Sequence, residues 1–188
     1  QILELNLGEY FKNAEGEMPY NGLRGEDIPD NLRAVSVKQA LTYLENNGNY
    51  RYSIEIKNSG ESGVKAVDAL YDTLKVMNLF DKVIVASFNK DVILYIDQNY
   101  PELTRCAYNM EVVGLYIDSL FDIDRDESHY GFDVLQVPPD KYIVNLGTSK
   151  LVNYAHKNNI AVQYWTINDP ERMLFLQNEL CEKLHRSR

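Results

Sequence analysis

Short apolar segments alternate with longer segments of helical periodicity from residue 35 to the end of the chain, and this alternation constrains the fold most strongly. The apolar segments predict strands at residues 52–57, 83–88, 132–137 and 161–167. The periodic segments predict helices at residues 35–46, 64–77, 91–99, 148–157 and 170–185. Two more segments, 105–108 and 112–116, are strand candidates. Because such alternation is typical of a parallel sheet covered by helices, we expect an α/β fold.

The start of the chain has a different character. Residues 1–33 are rich in Gly, Asn and Pro and predict loops and turns. No linker divides the 188 residues, so we expect a single domain over residues 1–188. A barrel of eight βα units usually needs about 250 residues, so a barrel made by this chain would be short. The first residue is Gln1 rather than Met, which suggests a cut inside a longer protein.

Composition excludes some classes of function. The formal net charge of −9 argues against a general nucleic-acid binder, which needs clustered Lys and Arg to neutralise phosphates. A small phosphate ester stays compatible, because a single cation can dominate a pocket. No apolar run reaches the roughly 18 residues of a membrane span. We therefore expect a soluble domain, in a compartment that is either cytoplasmic or extracytoplasmic.

Glu55 and Lys57 are the strongest local signal for chemistry. Residues two apart on a strand share a face, so both side chains, with Ser53, point away from the helices that cover Ile54 and Ile56. Two charges on an inner face are costly unless they are paired or used, and both a structural ion pair and a functional pair stay open. Their position at the end of a strand favours function, because barrels carry functional groups there. A carboxylate suits a divalent cation, and an ammonium suits a phosphoryl oxygen.

Five segments carry a resemblance to a known family. Residues 54–57 (Ile-Glu-Ile-Lys) resemble the Glu-x-Lys strand of the glycerophosphodiester phosphodiesterase family, and four further segments match it in order: residues 7–11, 85–88, 151–157 and 162–168. The similarity covers roughly residues 3–173. Each motif is weak alone, and the ordered set is specific.

The resemblance implies a (β/α)8 TIM-type barrel that hydrolyses glycerophosphodiesters to sn-glycerol 3-phosphate and an alcohol. It implies that Glu55 binds a divalent metal, Mg2+ or Ca2+, and that the catalytic residue Lys57 binds the substrate phosphate. Phe88 and Trp165 would bind the glycerol carbons, and Ser87 would lie nearby without an assigned role. The expected ligand is a small glycerophosphodiester.

The sequence also departs from the family pattern. The family's His-Arg-Gly, Glu-x-Asp and His-Asp motifs, and its closing Thr-Asp-x-Pro strand, are absent. We therefore expect an incomplete barrel, with only the central and late βα units, that is inactive alone because it lacks both catalytic histidines and two metal carboxylates. The alternative is a non-catalytic barrel that binds a phosphate-bearing ligand or a protein partner. Open barrel edges could also pair with another copy of the chain.

Other chemical groups are weaker candidates. His129, His156 and His185 fall in a loop or in helices expected to lie away from the site, and we do not expect them to replace the missing pair. The acidic loop, residues 122–133, has the alternate spacing of a calcium loop. Glu127 and Asp133 stand where such a loop needs Gly and Glu, so we interpret it as a solvated loop.

Overall fold

Parallel strands joined by helices dominate the computed structural model, which describes residues 4–126, 128–141 and 144–181. The helices are α1 (Val37–Asn47), α2 (Gly60–Met77), α3 (Lys90–Asn99), α4 (Asn109–Phe121), α5 (Ser149–Lys157) and α6 (Pro170–Cys181). The strands are β1 (Tyr52–Glu55), β2 (Val83–Ala86), β3 (Val134–Val137), β4 (Asp140–Lys141), β5 (Val144–Asn145) and β6 (Ala161–Tyr164). None of the helices within these described residues is both long and apolar enough to cross a bilayer.

Contacts divide the chain into two units, Gln1–Tyr50 and Arg51–Arg188. The described part of the first unit is irregular up to Ser36, as predicted, apart from short 3-10 turns such as Gly25–Asp27. Ser36 then begins α1 with a capping box, in which its hydroxyl accepts from the Gln39 backbone N–H. The single domain over residues 1–188 stays a prediction.

The helical spacing of residues 35–46 predicts that Val37, Leu41 and Leu44 share one face of α1. Leu41 is buried and Leu44 is half-buried. Val37 is exposed, so this face contributes to the core only through the two leucines. Val37 is the first residue of α1, where the helix has no preceding turn to shelter it.

In the second unit, the parallel strands pair in the order in which they follow one another along the chain, while the short strands β4 and β5 between β3 and β6 form an antiparallel pair of their own. β1 pairs in parallel with β2, and β3 pairs in parallel with β6. Between them, Val85 bridges to Arg105 and Cys106 bridges to Val134, both in parallel. The strand predicted at 105–108 is therefore reduced to two bridging residues. This sequential parallel order is the arrangement of a TIM-type barrel.

The strand predicted at 112–116 was wrong, because these residues lie inside α4. The Glu111 carboxylate accepts from the Tyr108 backbone N–H at 3.0 Å, which satisfies a free donor at the start of the helix. Leu115 then packs into the core. Local preference of Val and Tyr for strands is overridden by this cap and by tertiary packing.

Helix faces and strands enclose the core as the periodicity predicts. Val67, Leu70 and Leu74 of α2 are all buried.

Arg105 is also buried, and its guanidinium makes two-point contacts with both Asp97 and Glu111. A buried charge is tolerated there because its donors are satisfied by carboxylates.

The acidic loop is held by basic side chains rather than arranged around a cation. Lys150 Nζ lies 3.0 Å from Asp122 Oδ2, and Lys157 Nζ lies 2.8 Å from Asp124 Oδ1. Glu127, one of the two mismatched calcium-loop positions, lies outside the described residues. The ion pairs to α5 support the interpretation as a solvated surface loop.

Candidate active site

A pocket of about 390 Å³ opens at the carboxyl ends of the parallel strands in the second unit. Its lining comes from β1, β2, β3, the bridging segment and the residue after β6. The lining residues are Ser53, Glu55, Lys57, Ala86, Ser87, Phe88, Cys106, Ala107, Gln136 and Trp165. All five residues that the sequence placed at or near the site therefore lie in one pocket, while their roles stay predictions.

Glu55 and Lys57 form a loose ion pair at the mouth of this pocket. Lys57 Nζ lies 3.7 Å from Glu55 Oε2; the Lys57 side chain is 80% exposed and the Glu55 side chain is 36% exposed. The expectation that these charges carry a burial cost was wrong, because β1 ends at Glu55 and both side chains reach solvent. An exposed pair of this kind contributes about 0–1 kcal/mol to stability. So small a contribution does not explain the pair as a stabilising element of the fold. The Lys57 ammonium is exposed and is therefore accessible to a ligand.

The next strand holds the backbone that carries the pair. Ser87 Oγ donates to the Ile56 carbonyl at 2.7 Å, and Ser87 is buried. The Asn89 side-chain amide donates to the carbonyls of Lys57 and Asn58, each at 3.1 Å. Ser87 and Asn89, which we call the backbone clamp, thus fix the segment after β1. The contacts of Ser87 give it a structural role that the sequence did not suggest.

Close packing of α2 supports the same segment. A Cβ at Gly63 would lie 2.6 Å from the Asn58 carbonyl oxygen and 2.6 Å from Val92 Cγ2. Only glycine leaves room for this approach, so α2 packs directly against both the turn after Lys57 and Val92 of α3.

Phe88 and Trp165 form an aromatic side of the pocket. Their ring centroids lie 6.2 Å apart at an interplanar angle of 66°. The two residues are 52% and 39% exposed, although each has a large apolar surface. The Trp165 backbone N–H donates to the Val137 carbonyl at 3.2 Å, which ties the end of β6 to the end of β3. An apolar surface opposite an ammonium suits a ligand with both carbon and phosphate parts.

Sequence reasoning missed a chain of three polar side chains, two of which, Ser53 and Gln136, line the pocket. Gln136 Nε2 donates to Ser53 Oγ at 3.0 Å and to Gln163 Oε1 at 2.6 Å. We call these three residues the amide bridge. A signal was present, since β3 and β6 each carry a glutamine as the third of four otherwise mostly apolar residues. The sequence could not indicate that Gln136 reaches β1.

Cys106 lines the pocket but is not a reactive thiol. It is 2% exposed, and burial raises its pKa to about 12. A thiol with so high a pKa stays protonated at neutral pH and is a poor nucleophile. The other cysteine, Cys181, has a side chain outside the described part of the structure.

Histidines do not supply acid–base groups to the pocket among the described residues. His129 is exposed on the acidic loop, and His156 lies in the last turn of α5, where burial lowers its pKa. Neither residue lines the pocket. His185 lies outside the described residues. The expectation that His129 and His156 lie away from the site is consistent with these positions.

The described residues alone do not fit a metal ion. Within the described ranges, no group of three or more His, Cys, Asp and Glu side chains could hold one. Glu55 is the one carboxylate in the pocket lining, and its neighbour at 3.7 Å is an ammonium. Calcium takes six to eight oxygen ligands, so a single carboxylate falls short.

Comparison with known proteins gives the family. The family model described as "Glycerophosphoryl diester phosphodiesterase family" matches residues 4–182. Two solved structures support a TIM-type fold. A glycerophosphodiester phosphodiesterase from Parabacteroides distasonis has a TM-score of 0.52 at 16% identity, with 96% of this chain and 69% of that chain covered. A putative glycerophosphoryl diester phosphodiesterase from Silicibacter pomeroyi has a TM-score of 0.50 at 18% identity, with 87% and 56% covered.

The chain thus spans about two thirds of the first structure and little more than half of the second. No curated protein gives a significant match. The match of the family model over almost the whole length decides the assignment, because likeness in structure at such low identity speaks for the fold alone. The chain belongs to the glycerophosphoryl diester phosphodiesterase family, a family of enzymes.

Proposed function

We propose that this chain contributes the phosphate-binding side of a phosphodiesterase site that releases sn-glycerol 3-phosphate and an alcohol from glycerophosphodiesters. The single observation that carries the proposal is the exposed Lys57 ammonium beside Glu55, opposite Phe88 and Trp165 in one pocket. Family membership supports the reaction class. Lys57 binds the phosphate, and the two aromatic rings pack against the glycerol carbons.

The contribution of Lys57 can be estimated from its chemistry. A hydrogen bond between an ammonium and a phosphate oxygen contributes about 1.5–3 kcal/mol, which corresponds to roughly 10- to 100-fold in affinity. Because negative charge increases on the phosphoryl oxygens as the ester bond breaks, the same ammonium also favours the transition state. Lys57 is therefore the residue of this chain that we propose as catalytic.

Metal dependence belongs to the same proposal. We propose that Glu55 is one ligand of a divalent ion, Mg2+ or Ca2+, in a site that further carboxylates complete. The ion pair between Glu55 and Lys57 is loose, at 3.7 Å, so a bound divalent ion would take the place of the ammonium beside Glu55. The described residues provide neither the other ligands nor a histidine in the pocket, so we propose an incomplete barrel that is inactive as a hydrolase by itself.

The alternative function is a non-catalytic barrel that binds a phosphate-bearing ligand or a partner. The lack of a histidine among the described lining residues favours it. Pairing of open strand edges between copies also stays a prediction, and a clean monomer in light scattering would contradict it.

Binding and turnover experiments separate these possibilities. We expect the chain to bind glycerol 3-phosphate, reported by the emission of Trp165, its only tryptophan. K57M should weaken binding at least 10-fold, whereas K65M, which removes an exposed lysine on α2, should not change it. Equal affinity of K57M and the unsubstituted chain would refute the assignment of Lys57.

Turnover is measured as glycerol 3-phosphate released from glycerophosphocholine and glycerophosphoethanolamine, with Mg2+, Ca2+ or a chelator. We expect no release by these 188 residues and metal-dependent release by a longer chain that carries the missing motifs. Binding without release from such a longer chain would favour the non-catalytic alternative. Release by the 188 residues alone would refute the proposed incompleteness.

A further inference from the structure

Gln136 occupies an unusual place in β3. Its neighbours Leu135 and Val137 are buried in the core, whereas Gln136 is half-buried and faces the pocket. Its register partner in β6 is Gln163. Two amides side by side on the inner face of otherwise apolar parallel strands are not needed for packing, so their hydrogen bonds require an explanation.

Both amide hydrogens of Gln136 are used. One is donated to Ser53 Oγ at 3.0 Å and the other to Gln163 Oε1 at 2.6 Å. A carboxamide nitrogen has only these two hydrogens, so its orientation is fixed by two partners on different strands. Gln136 therefore does not serve as a further donor to a ligand; it holds its neighbours.

The hydrogen bond from Gln136 determines which hydrogen bonds the Ser53 hydroxyl can still make. A hydroxyl has one hydrogen and two lone pairs, and Ser53 Oγ uses a lone pair to accept from Gln136. In the described part of the chain, no hydrogen bond takes up the Ser53 hydrogen, and Ser53 is exposed in the pocket. The amide bridge thus keeps this hydroxyl as a donor that faces the ligand.

The position of Ser53 selects which part of a ligand it meets. Ser53 precedes Glu55 by two residues on the same face of β1, so it lies about 6.6 Å deeper along the strand. A ligand whose phosphate contacts Lys57 would place its carbon part toward this depth. A hydroxyl donor at this depth would bind an oxygen acceptor on the carbon part of the ligand, and a hydroxyl group of a polyol is such an acceptor.

We propose that Gln136 is a positioning residue that holds the Ser53 hydroxyl for recognition of the hydroxyl groups of a polyol phosphate. The inference rests on the proposed function, because it takes the phosphate to lie at Lys57. Gln136 does not touch the reacting atoms. It sets a preference for hydroxylated over plain alkyl phosphates.

The test compares two ligands with the same phosphate and the same number of carbons. Glycerol 3-phosphate carries two hydroxyls, and n-propyl phosphate carries none. Affinities are measured from Trp165 emission for the unsubstituted chain and for Q136L, S53A, K57M and Q98L. Q98L is the matched control, since Gln98 is exposed on α3 and does not line the pocket. Circular dichroism checks that each variant is folded.

We expect Q136L to weaken glycerol 3-phosphate binding about 3- to 10-fold, the effect of one neutral hydrogen bond, and to leave n-propyl phosphate within about 2-fold. S53A should show the same selectivity loss without altering the glutamine pair, which keeps the test decisive if Q136L fails to fold. Q98L should change neither affinity.

The failures are distinguishable. If K57M weakens both phosphates while Q136L and S53A weaken neither, or weaken both equally, the role of Gln136 is refuted and the proposed function stands. If the unsubstituted chain binds neither phosphate, the proposed function is refuted and this inference with it.

Discussion

Replacement of Arg105 by Met would remove the buried cation around which the middle of the sheet is organised. The Arg105 side chain is 3% exposed, and its guanidinium donates to Asp97 at 2.7 and 2.8 Å and to Glu111 at 2.7 and 2.9 Å. Burial alone would lower the pKa of Arg105, but the hydrogen bonds to the two carboxylates outweigh it and raise the pKa. Met keeps much of the stem and loses every one of these contacts.

The expected loss of stability follows from the two carboxylates that remain without their cation. Loss of one partner from a buried ion cluster costs about 3–5 kcal/mol, because the remaining charges are uncompensated. Asp97 is 37% exposed and Glu111 is 20% exposed, so water can reach both carboxylates. We therefore expect the lower end, about 3 kcal/mol. R105K should cost about half as much, because lysine keeps the positive charge beside the two carboxylates but cannot make two-point contacts with both.

Urea unfolding followed by Trp165 emission measures this loss, because Trp165 lies in the same unit as Arg105. R51M is the control: Arg51 is an exposed arginine of that unit, and its loss should change stability by no more than about 0.5 kcal/mol. A loss below about 1 kcal/mol for R105M, with an unchanged denaturant slope, would refute the reasoning.

Two further predictions concern packing and pH. G63A should destabilise the protein by about 1–3 kcal/mol, because its Cβ would meet Asn58 and Val92 at 2.6 Å. G114A should instead stabilise α4 by about 0.5–1 kcal/mol, because a Cβ at Gly114 would meet nothing within 4 Å. Thermal unfolding of both variants checks these opposite signs, and equal shifts in the unfolding temperature would contradict them. Hydrogen bonding from Arg125 and Tyr130 lowers the pKa of Asp118 from its ordinary 3.8, so its stabilising contribution should be complete above about pH 4 and disappear as the pH falls through the lowered value. D118N should therefore be less stable than the parent at pH 7 and lose less stability below pH 4, and parallel stability–pH curves would contradict this assignment.

Much of the fold could be predicted because its periodicities are clear. The buried positions of α2 recur at helical spacing, and β2 is a short apolar run bounded by turns. The segment 112–116 was misassigned since Val and Tyr favour strands locally, whereas the Glu111 cap and the burial of Leu115 determine a helix. Such contacts with other parts of the chain are not written in a local pattern.

Prediction of the site was limited in a similar way. The alternation of β1 predicted a shared face for Glu55 and Lys57, and both line the pocket, but it could not give their exposure, so the expected cost of burying the two charges was wrong. Ser87 was placed near the site without a role, since a hydroxyl that holds a neighbouring strand looks the same in sequence as one that holds a ligand. Gln136 and Ser53 lie 83 residues apart on strands that do not pair with each other, so no local segment indicates their contact.

The spacing of the site contacts along the chain also has a kinetic meaning. The bond from Ser87 to Ile56 closes a loop of 31 residues, whereas the bond from Gln136 to Ser53 closes one of 83. In a flexible chain the longer closure costs about 0.9 kcal/mol more in entropy, and it becomes cheap only after the intervening strands have docked. The end of β1 can therefore be ordered early by its sequence neighbour, while the base of the pocket is a late product of folding.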